Sequence, residues 1–469
     1  MRIRGGYLPK IAGKPSDKLE DVRIPEKLLI NLQRRGLTYT PVVKDSQSIK
    51  FGEVLAEAEI EGGKIALPSP VSGKVSIIEE EKSPAIITIE VDESNSAPER
   101  VYNTSQLKHV DQKEIRATLA RAGIWPFFWS SKTEGIPSLS ESKPRAIIVN
   151  FFNAEPFRAR GDIILKNKWQ AIMEGIKFMN KLLVDYGTIE IMLPKVHKPL
   201  IKELYDELAG YAWVKFHSVP FIYPNDNVRL LVRMIKKLPP FTRDDDIWVM
   251  DIQGVEALGA CFTEGIPVHQ KIIAIGGPGT NNPRHLSVRI GTPLNEFLDE
   301  DLKDKGSLVL RGGIFLGETV NPEKETVNFD DDSFFILPEF SKREFLSFLR
   351  PGFNRTSYLP AFATVITRGE DTQITNSLRG EIRPCISCGL CENICPVGLM
   401  PQVLHRYLYA GDLDGAEKLG LNICIDCNLC TFICPSKIEL QKQFAAAREE
   451  LRLEHEEANK ILANKKSQE

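Results

Sequence analysis

The 469-residue chain is too long for one ordinary hydrophobic core, so three or four modules are expected. Hydrophobic residues make up 42% and charged residues 26%, and a net charge of −3 excludes the basic balance of a nucleic-acid-binding protein. No run approaches the ~18–20 apolar residues that span a bilayer, and no apolar signal stretch follows Met1 to Gly6, so a cytoplasmic chain is expected.

Residues 1–35 are an N-terminal segment. From 36 to 95, short apolar runs alternate with turn residues, and a hairpin is centred on Gly62-Gly63. This stretch is similar to the barrel-sandwich fold of lipoyl and biotinyl carriers. Lys64 stands too close to Pro68 to be their modified lysine, so an unmodified docking scaffold is expected. Residues 96–265 read as a Rossmann-like α/β domain. Strands are expected at 146–150, 188–193, 213–216, 248–252 and 272–275, with helices between them, in a mainly parallel sheet. Ligands in such sheets sit at strand carboxyl ends, which places Asn150 and Glu155 where a site would be.

Residues 266–345 look like a β-grasp module. Gly276-Gly277-Pro278-Gly279-Thr280 is a turn, because Pro283 comes before any helix could start and the phosphate cradle of a helix amino terminus is missing. A connecting helix and linker fill 346–380, and the tail 446–469 is a charged, solvated helix. Two aromatic stretches, 124–129 and 345–349, have two readings: core packing, or a surface that docks on membrane subunits. Cys261 lies on an apolar helical stretch and is a buried filler.

Eight of the nine cysteines lie in 381–445. The runs Cys385-Ile-Ser-Cys388-Gly-Leu-Cys391-Glu-Asn-Ile-Cys395-Pro396 and Cys424-Ile-Asp-Cys427-Asn-Leu-Cys430-Thr-Phe-Ile-Cys434-Pro435 both match the bacterial ferredoxin spacing at every position. Zinc ribbons use two separated C-x2-C pairs instead, and a disulfide framework does not suit a reducing cytosol. In the ferredoxin pattern the fourth cysteine of each run serves the other cluster. Cys385, Cys388, Cys391 and Cys434 are therefore expected to hold one [4Fe–4S] cluster, and Cys424, Cys427, Cys430 and Cys395 the second. The proline after each run lacks the N–H that could compete for a sulfur and suits a first helical turn.

In order, these modules resemble the NqrA family, the A subunits of the Na+-translocating NADH:quinone oxidoreductases, and, more distantly, the C subunit of the Rnf complex. Gly6, Ile11, Gly13 and Pro15, then Pro70-Val71-Ser72-Gly73, match the first family. Asn150 with Glu155-Pro156-Phe157 looks like the Rnf protein, and residues 275–298 are similar to the soluble-ligand-binding β-grasp (SLBB) module of both. The resemblance implies a peripheral electron-transfer subunit on the cytoplasmic face of the inner membrane, with membrane-embedded and flavin-bearing subunits as partners. Quinone would enter at the level of the complex. The Rnf likeness implies instead an FMN- and NADH-binding subunit with Asn150 and Glu155 in the site. Its glycine-rich flavin loop is replaced here by Trp125-Pro126-Phe127-Phe128-Trp129, whose bulk keeps backbone from approaching a phosphate. A scaffold braced by clusters is the third alternative. The expected architecture is thus a multidomain α/β chain: a β barrel-sandwich, a Rossmann-like domain, a β-grasp module and an all-α ferredoxin-like domain.

Overall fold

The computed structural model describes residues 5–80, 83–92, 98–103, 111–140, 143–195, 199–339, 363 and 382–466. The aromatic stretch 345–349 and almost all of the linker 346–380 therefore lie outside the described residues. Strand β1 (Leu19–Asp21) leaves the N-terminal segment to join a distant sheet, as described below. Strands β2 (Lys27–Asn31), β6 (Ser48–Ile49), β9 (Gly73–Glu80) and β10 (Ser83–Val91) form an antiparallel sheet in the order β2-β10-β9-β6. Beside it lie the small hairpin β3 (Gln33–Arg34) with β4 (Leu37–Thr38) and the three-stranded sheet β5 (Thr40–Pro41), β7 (Val54–Ile60), β8 (Gly63–Pro68). The β-structure thus begins before residue 36, because Leu28 and Ile30 pair with β10 and are fully buried. The β7–β8 turn packs on a neighbour: Leu139 donates its N–H to the Glu61 carbonyl at 2.9 Å, and a Cβ on Gly62 would stand 2.5 Å from the Ser140 nitrogen. Lys64 pairs with Glu57 at 3.1 Å.

Helix α1 (Gln112–Arg121) starts on an Asp111 cap and leads into the aromatic stretch. Trp125 and Phe128 are buried edge-on to each other and against Trp248, with ring centroids 5.2–5.5 Å apart, and the Trp125 indole donates to the Pro137 carbonyl at 2.8 Å. Of the two readings of residues 124–129, core packing is the one realised: the segment welds the β-module to the α/β domain in one continuous apolar core.

The α/β sheet has the order β11-β15-β12-β13-β14, from β11 (Trp129–Ser130), β12 (Ala146–Asn150), β13 (Thr188–Pro194), β14 (Val214–Val219) and β15 (Ile247–Asp251). Only β11 runs antiparallel. Every residue of β12 is buried, as expected of a strand covered on both faces. The covering helices are α2 (Gly161–Asn167), α3 (Trp169–Met179), α4 (Pro199–Leu208), α5 (Val228–Ile235) and α6 (Ile252–Thr263). Helices α3 and α6 touch closely because Gly259 faces Ala171, where a Cβ would stand 1.7 Å from the Ala171 carbonyl.

Strand β16 (Gln270–Gly276) does not extend this sheet, contrary to the alternation read through residue 275. It turns back at residues 277–283 into β17 (Arg284–Arg289), and helix α7 (Asn295–Leu298) follows. With β18 (Leu308–Arg311), β19 (Glu318–Val320) and β20 (Ser333–Leu337) they build a mixed sheet ordered β1-β17-β16-β20-β18-β19. The N-terminal segment straps the modules together. The Gly6 N–H reaches the Ile394 carbonyl at 3.0 Å, Tyr7 bonds to Tyr223, and Gly277 donates to Gly13 at 2.9 Å. A Cβ on Gly13 would collide with the Gly277 carbonyl at 2.0 Å, so the crossing needs glycine.

The C-terminal region is helical: α8 (Leu390–Ile394), α9 (Pro401–Tyr409), α10 (Leu413–Lys418), α11 (Leu429–Ile433) and α12 (Leu440–Lys466). Helix α12 is only partly a solvated tail, since Leu440, Phe444, Ala447 and Leu451 are buried on one stripe against the cysteine region. Among the described residues no helix is long and apolar enough to cross a membrane.

Candidate metal centres

The two cysteine runs fold as copies of each other, displaced by 39 residues along the chain. Short helices α8 and α11 occupy equivalent places. The left-handed backbone positions also match: Ser387 with Asp426 (φ 55° and 58°), Gly389 with Asn428 (72° and 59°), and Gly398 with Lys437 (74° and 56°). Three left-handed kinks per run, most of them on residues with a Cβ, are an unusual conformation to keep twice. The two runs thereby share one backbone path, and the fourth cysteine of the second run, Cys434, reaches the cavity of the first.

Cys385, Cys388, Cys391 and Cys434 line one cavity together with Gln402, Pro435 and Ile438. Burial pushes the Cys391 thiol up to about 11, and Cys388 and Cys434 add to the rise. Burial likewise pushes Cys427 up to about 12, reinforced by Cys424 and Cys395, and raises Cys424 and Cys430, both of which also feel Cys395. Cys434 thus joins the first run's cavity, and Cys395 and Cys391 of the first run lie within electrostatic reach of Cys430 in the second. Among the described residues no three His, Cys, Asp or Glu side chains converge on a single metal ion. Four thiol donors set around a small apolar-lined space suit a cubane better than a lone cation. Backbone N–H groups of Ser387 and Leu399 already point at Cys385 and Cys395 sulfurs at 3.4 and 3.3 Å, the contacts that tune potential in such sites.

The surroundings of the two groups differ. The loop at 424–430 is clasped by the α/β domain. Asn227, which caps α5, donates to the Ile425 carbonyl at 3.0 Å, Arg229 to Cys424 at 3.1 Å, and the Tyr223 hydroxyl to Cys427 at 2.7 Å. Asp426 pairs with Arg229 at 3.4 Å and closely with Arg448 of α12. Asn428 donates to the Phe315 carbonyl at 2.5 Å, and the Phe315 ring stacks on Tyr223 and meets Phe432 edge-on. These residues were not singled out from the sequence, where the only local signal is the helix cap at Asn227. Among the described residues the loop at 385–391 receives no such bonds from the α/β domain: Cys388 is exposed and Ile386 is 62% exposed.

Asn150 ends β12 and Glu155 sits beyond its carboxyl end, but both are turned into protein. Asn150 accepts from the Phe152 N–H at 3.3 Å and donates to the Asp226 carbonyl. Glu155 is 2% exposed, and its Oε1 accepts the N–H groups of Phe315 and Leu316 at 2.8 and 2.9 Å. A Cβ at Gly313 would overlap the Glu155 carboxyl, so this side chain fills the seam between the two large sheets.

Residues 110–266 match the family model described as "NqrA second alpha/beta domain", and residues 272–321 match the "NQRA C-terminal domain". Residues 371–439 match a "4Fe-4S dicluster domain". The A subunit of the Na(+)-translocating NADH-quinone reductase of Cellvibrio japonicus is 27% identical over 430 residues, covering 90% of this chain and 92% of the relative. The chain is NqrA-like. The Teredinibacter turnerae protein of the same name is 25% identical with the same coverage. A solved NAD+-reducing [NiFe]-hydrogenase overlaps at a TM-score of 0.41 and 11% identity, over 73% of this chain and 67% of that one, which is too little to argue from.

The NqrA-like α/β domain also has an open cavity of about 260 Å³ at the carboxyl ends of β12 and β13. Phe151, Phe152, Leu165, Leu193 and Ile201 line it, with Lys14 and Arg160 at its edge, and Arg160 is already paired with Asp162 and Asp17. Asn150 and Glu155 do not line it. The residues present do not fit a flavin or nucleotide at those two positions: their polar groups are spent internally, and the bulky 124–129 stretch fills core where the flavin loop's open backbone would be needed.

Proposed function

We propose that the chain is the peripheral electron-transfer subunit of a membrane NADH:quinone oxidoreductase complex of the Na+-translocating type. The observation that supports this reading is the repeated backbone of the two cysteine runs, with Cys434 of the second run lining the same cavity as Cys385, Cys388 and Cys391 of the first. Cys385, Cys388, Cys391 and Cys434 would hold one [4Fe–4S] cluster; Cys395, Cys424, Cys427 and Cys430 the other. When bound, such clusters supply reversible one-electron storage and transfer. The chain's own residues orient the thiolates, exclude water with Ile394, Ile425, Leu429 and Phe432, and keep the inner loop rigid through Tyr223, Asn227 and Arg229. The relatives' name supports a subunit of a Na+-translocating NADH-quinone reductase; flavin-bearing and membrane-embedded partners, and a place on the cytoplasmic face, are part of the proposal.

The complete set of eight ligand cysteines favours a second reading, a relay closer to that of the Rnf complex's C subunit. Anaerobic purification followed by iron and sulfide counting tests both. About eight of each per chain, with spin-coupled EPR signals on reduction, is expected. Two zinc ions would overturn the proposal, and retained FMN reducible by NADH would shift it to the second reading.

A further inference from the structure

Glu155, Asp226 and Asp332 come from three separate stretches: the loop after β12, the loop before α5, and the residue ahead of β20. Glu155 and Asp332 contact one guanidinium, that of Arg158, and Asp226 lies within its electrostatic reach. Its Nε donates to both Asp332 oxygens at 3.0 and 2.8 Å, and its Nη1 lies 3.7 Å from Glu155 Oε2. Asp226 Oδ2 accepts the Ala154 N–H at 2.9 Å. Glu155 Oε2 and Asp226 Oδ1 are buried with no hydrogen bond. Three carboxylates facing one cation leave two negative charges uncompensated if all are ionised, and burial makes that arrangement costly. Holding a proton on one of them removes the conflict. The Glu155 carboxyl is the most enclosed, and burial, with Arg158 and the two N–H groups opposing it, pushes its pKa up to about 7. The other ionisable groups acting on Glu155 are Asp226 and Tyr223, while Lys271 of β16 and the Arg311–Asp331 pair act on Asp332 and its neighbours.

This carboxyl is wired to the inner cysteine loop through one residue. Phe315 gives its N–H to Glu155, receives Asn428 on its carbonyl, and stacks on Tyr223, whose hydroxyl holds the Cys427 carbonyl. We propose that Glu155 is a proton-binding site whose occupancy follows the redox state of the centre that Cys395, Cys424, Cys427 and Cys430 would hold. The proposal rests on the two-cluster reading above. An added negative charge at that centre, in a dry region of low dielectric, raises the proton affinity of the nearby carboxylate. Glu155 gains one proton from solvent for one electron delivered by a low-potential one-electron donor, and no bond between heavy atoms forms or breaks. Arg158, with 28% of its side chain exposed, provides the path to water. The outer centre has no buried acid joined to it in this way among the described residues, so it lacks the coupling.

The test uses anaerobically purified, iron-loaded full-length protein, with dithionite as reductant. Reduced-minus-oxidised infrared spectra should show a carboxylic-acid band appearing on reduction near pH 7, and the band should be absent in Glu155→Gln. In mediated redox titrations the reduction equilibrium of one centre should fall several-fold per pH unit between about pH 6 and 8, toward the tenfold limit of about 59 mV for one proton per electron. The other centre should stay flat, and Asp226→Asn should move the sensitive window to lower pH. Proton uptake by the wild-type protein, read with an indicator dye, decides the matter if Glu155→Gln does not fold. Wild-type spectra without the band and with pH-invariant potentials overturn the inference, as does an unchanged band in folded Glu155→Gln. Protein that carries no iron overturns the cluster reading, and this inference with it.

Discussion

The two cysteine loops have nearly the same backbone and opposite surroundings. The loop at 424–430 is gripped by Tyr223, Asn227 and Arg229 from the α/β domain and by Arg448 from the last helix. The loop at 385–391 presents Cys388 and Ile386 to solvent. Local sequence can shape two loops of one backbone, but what packs on them diverges. If both loops hold clusters as proposed, burial and hydrogen bonding around the sulfurs would suit the exposed one to exchange with a partner and the enclosed one to internal relay.

The comparison can be broken at several points. The largest effect is expected from ligand removal: Cys388→Ala and Cys427→Ala should each lose roughly half the iron, read by iron counting. Only Cys427→Ala should also sharply lower the thermal midpoint, because Cys427 belongs to the core shared by both large sheets. Equal thermal losses would remove the distinction between the cages. Phe315→Ala, at the junction of Glu155, Tyr223 and Phe432, should cost about 3–5 kcal/mol in denaturant unfolding.

Glu155 should make stability depend on pH. Its carboxyl keeps its proton to about 7 in the folded chain against 4.5 ordinarily, so the folded state binds more protons across that interval. Its stabilising contribution is complete below about pH 4.5 and is lost as pH rises through 7, by up to roughly 3 kcal/mol. Unfolding midpoints of wild type and Glu155→Gln across that interval should therefore diverge, the variant being the flatter. Arg229→Ala should cost about 1–2 kcal/mol in chemical unfolding, since it removes hydrogen bonds to the Cys424 carbonyl and Asp426. Smallest of all, Ile386→Ala on the open cage should stay within about 0.5 kcal/mol of wild type by the same measurement. A larger loss there would mean that the outer loop is held as firmly as the inner one.

Much of the fold was legible in advance. The apolar run at 146–149 and the strand read at 248–252 announce sheet strands, and the glycine and proline punctuation of 276–283 announces a turn. Sheet membership was not legible: β1 lies in what read as an N-terminal segment without a strand, β16 read as part of the α/β sheet, and only long-range pairing assigns both to the mixed sheet. Asn150 and Glu155 were found by their place after a strand, a rule about where ligands collect. Periodicity cannot say that Gly313 comes against Glu155 and closes that space.

By itself, the sequence determined the two ferredoxin-type cysteine runs and the alternation of strand and helix, because ligand spacing and hydrophobic period are local properties of a chain. The tertiary structure alone decided which cysteine loop is enclosed, where Glu155 points, and that Glu155 and Asp332 meet one arginine with Asp226 close by. Those outcomes depend on contacts between residues far apart in the chain, many of them more than a hundred positions, where burial and charge are set by neighbours that no local pattern names.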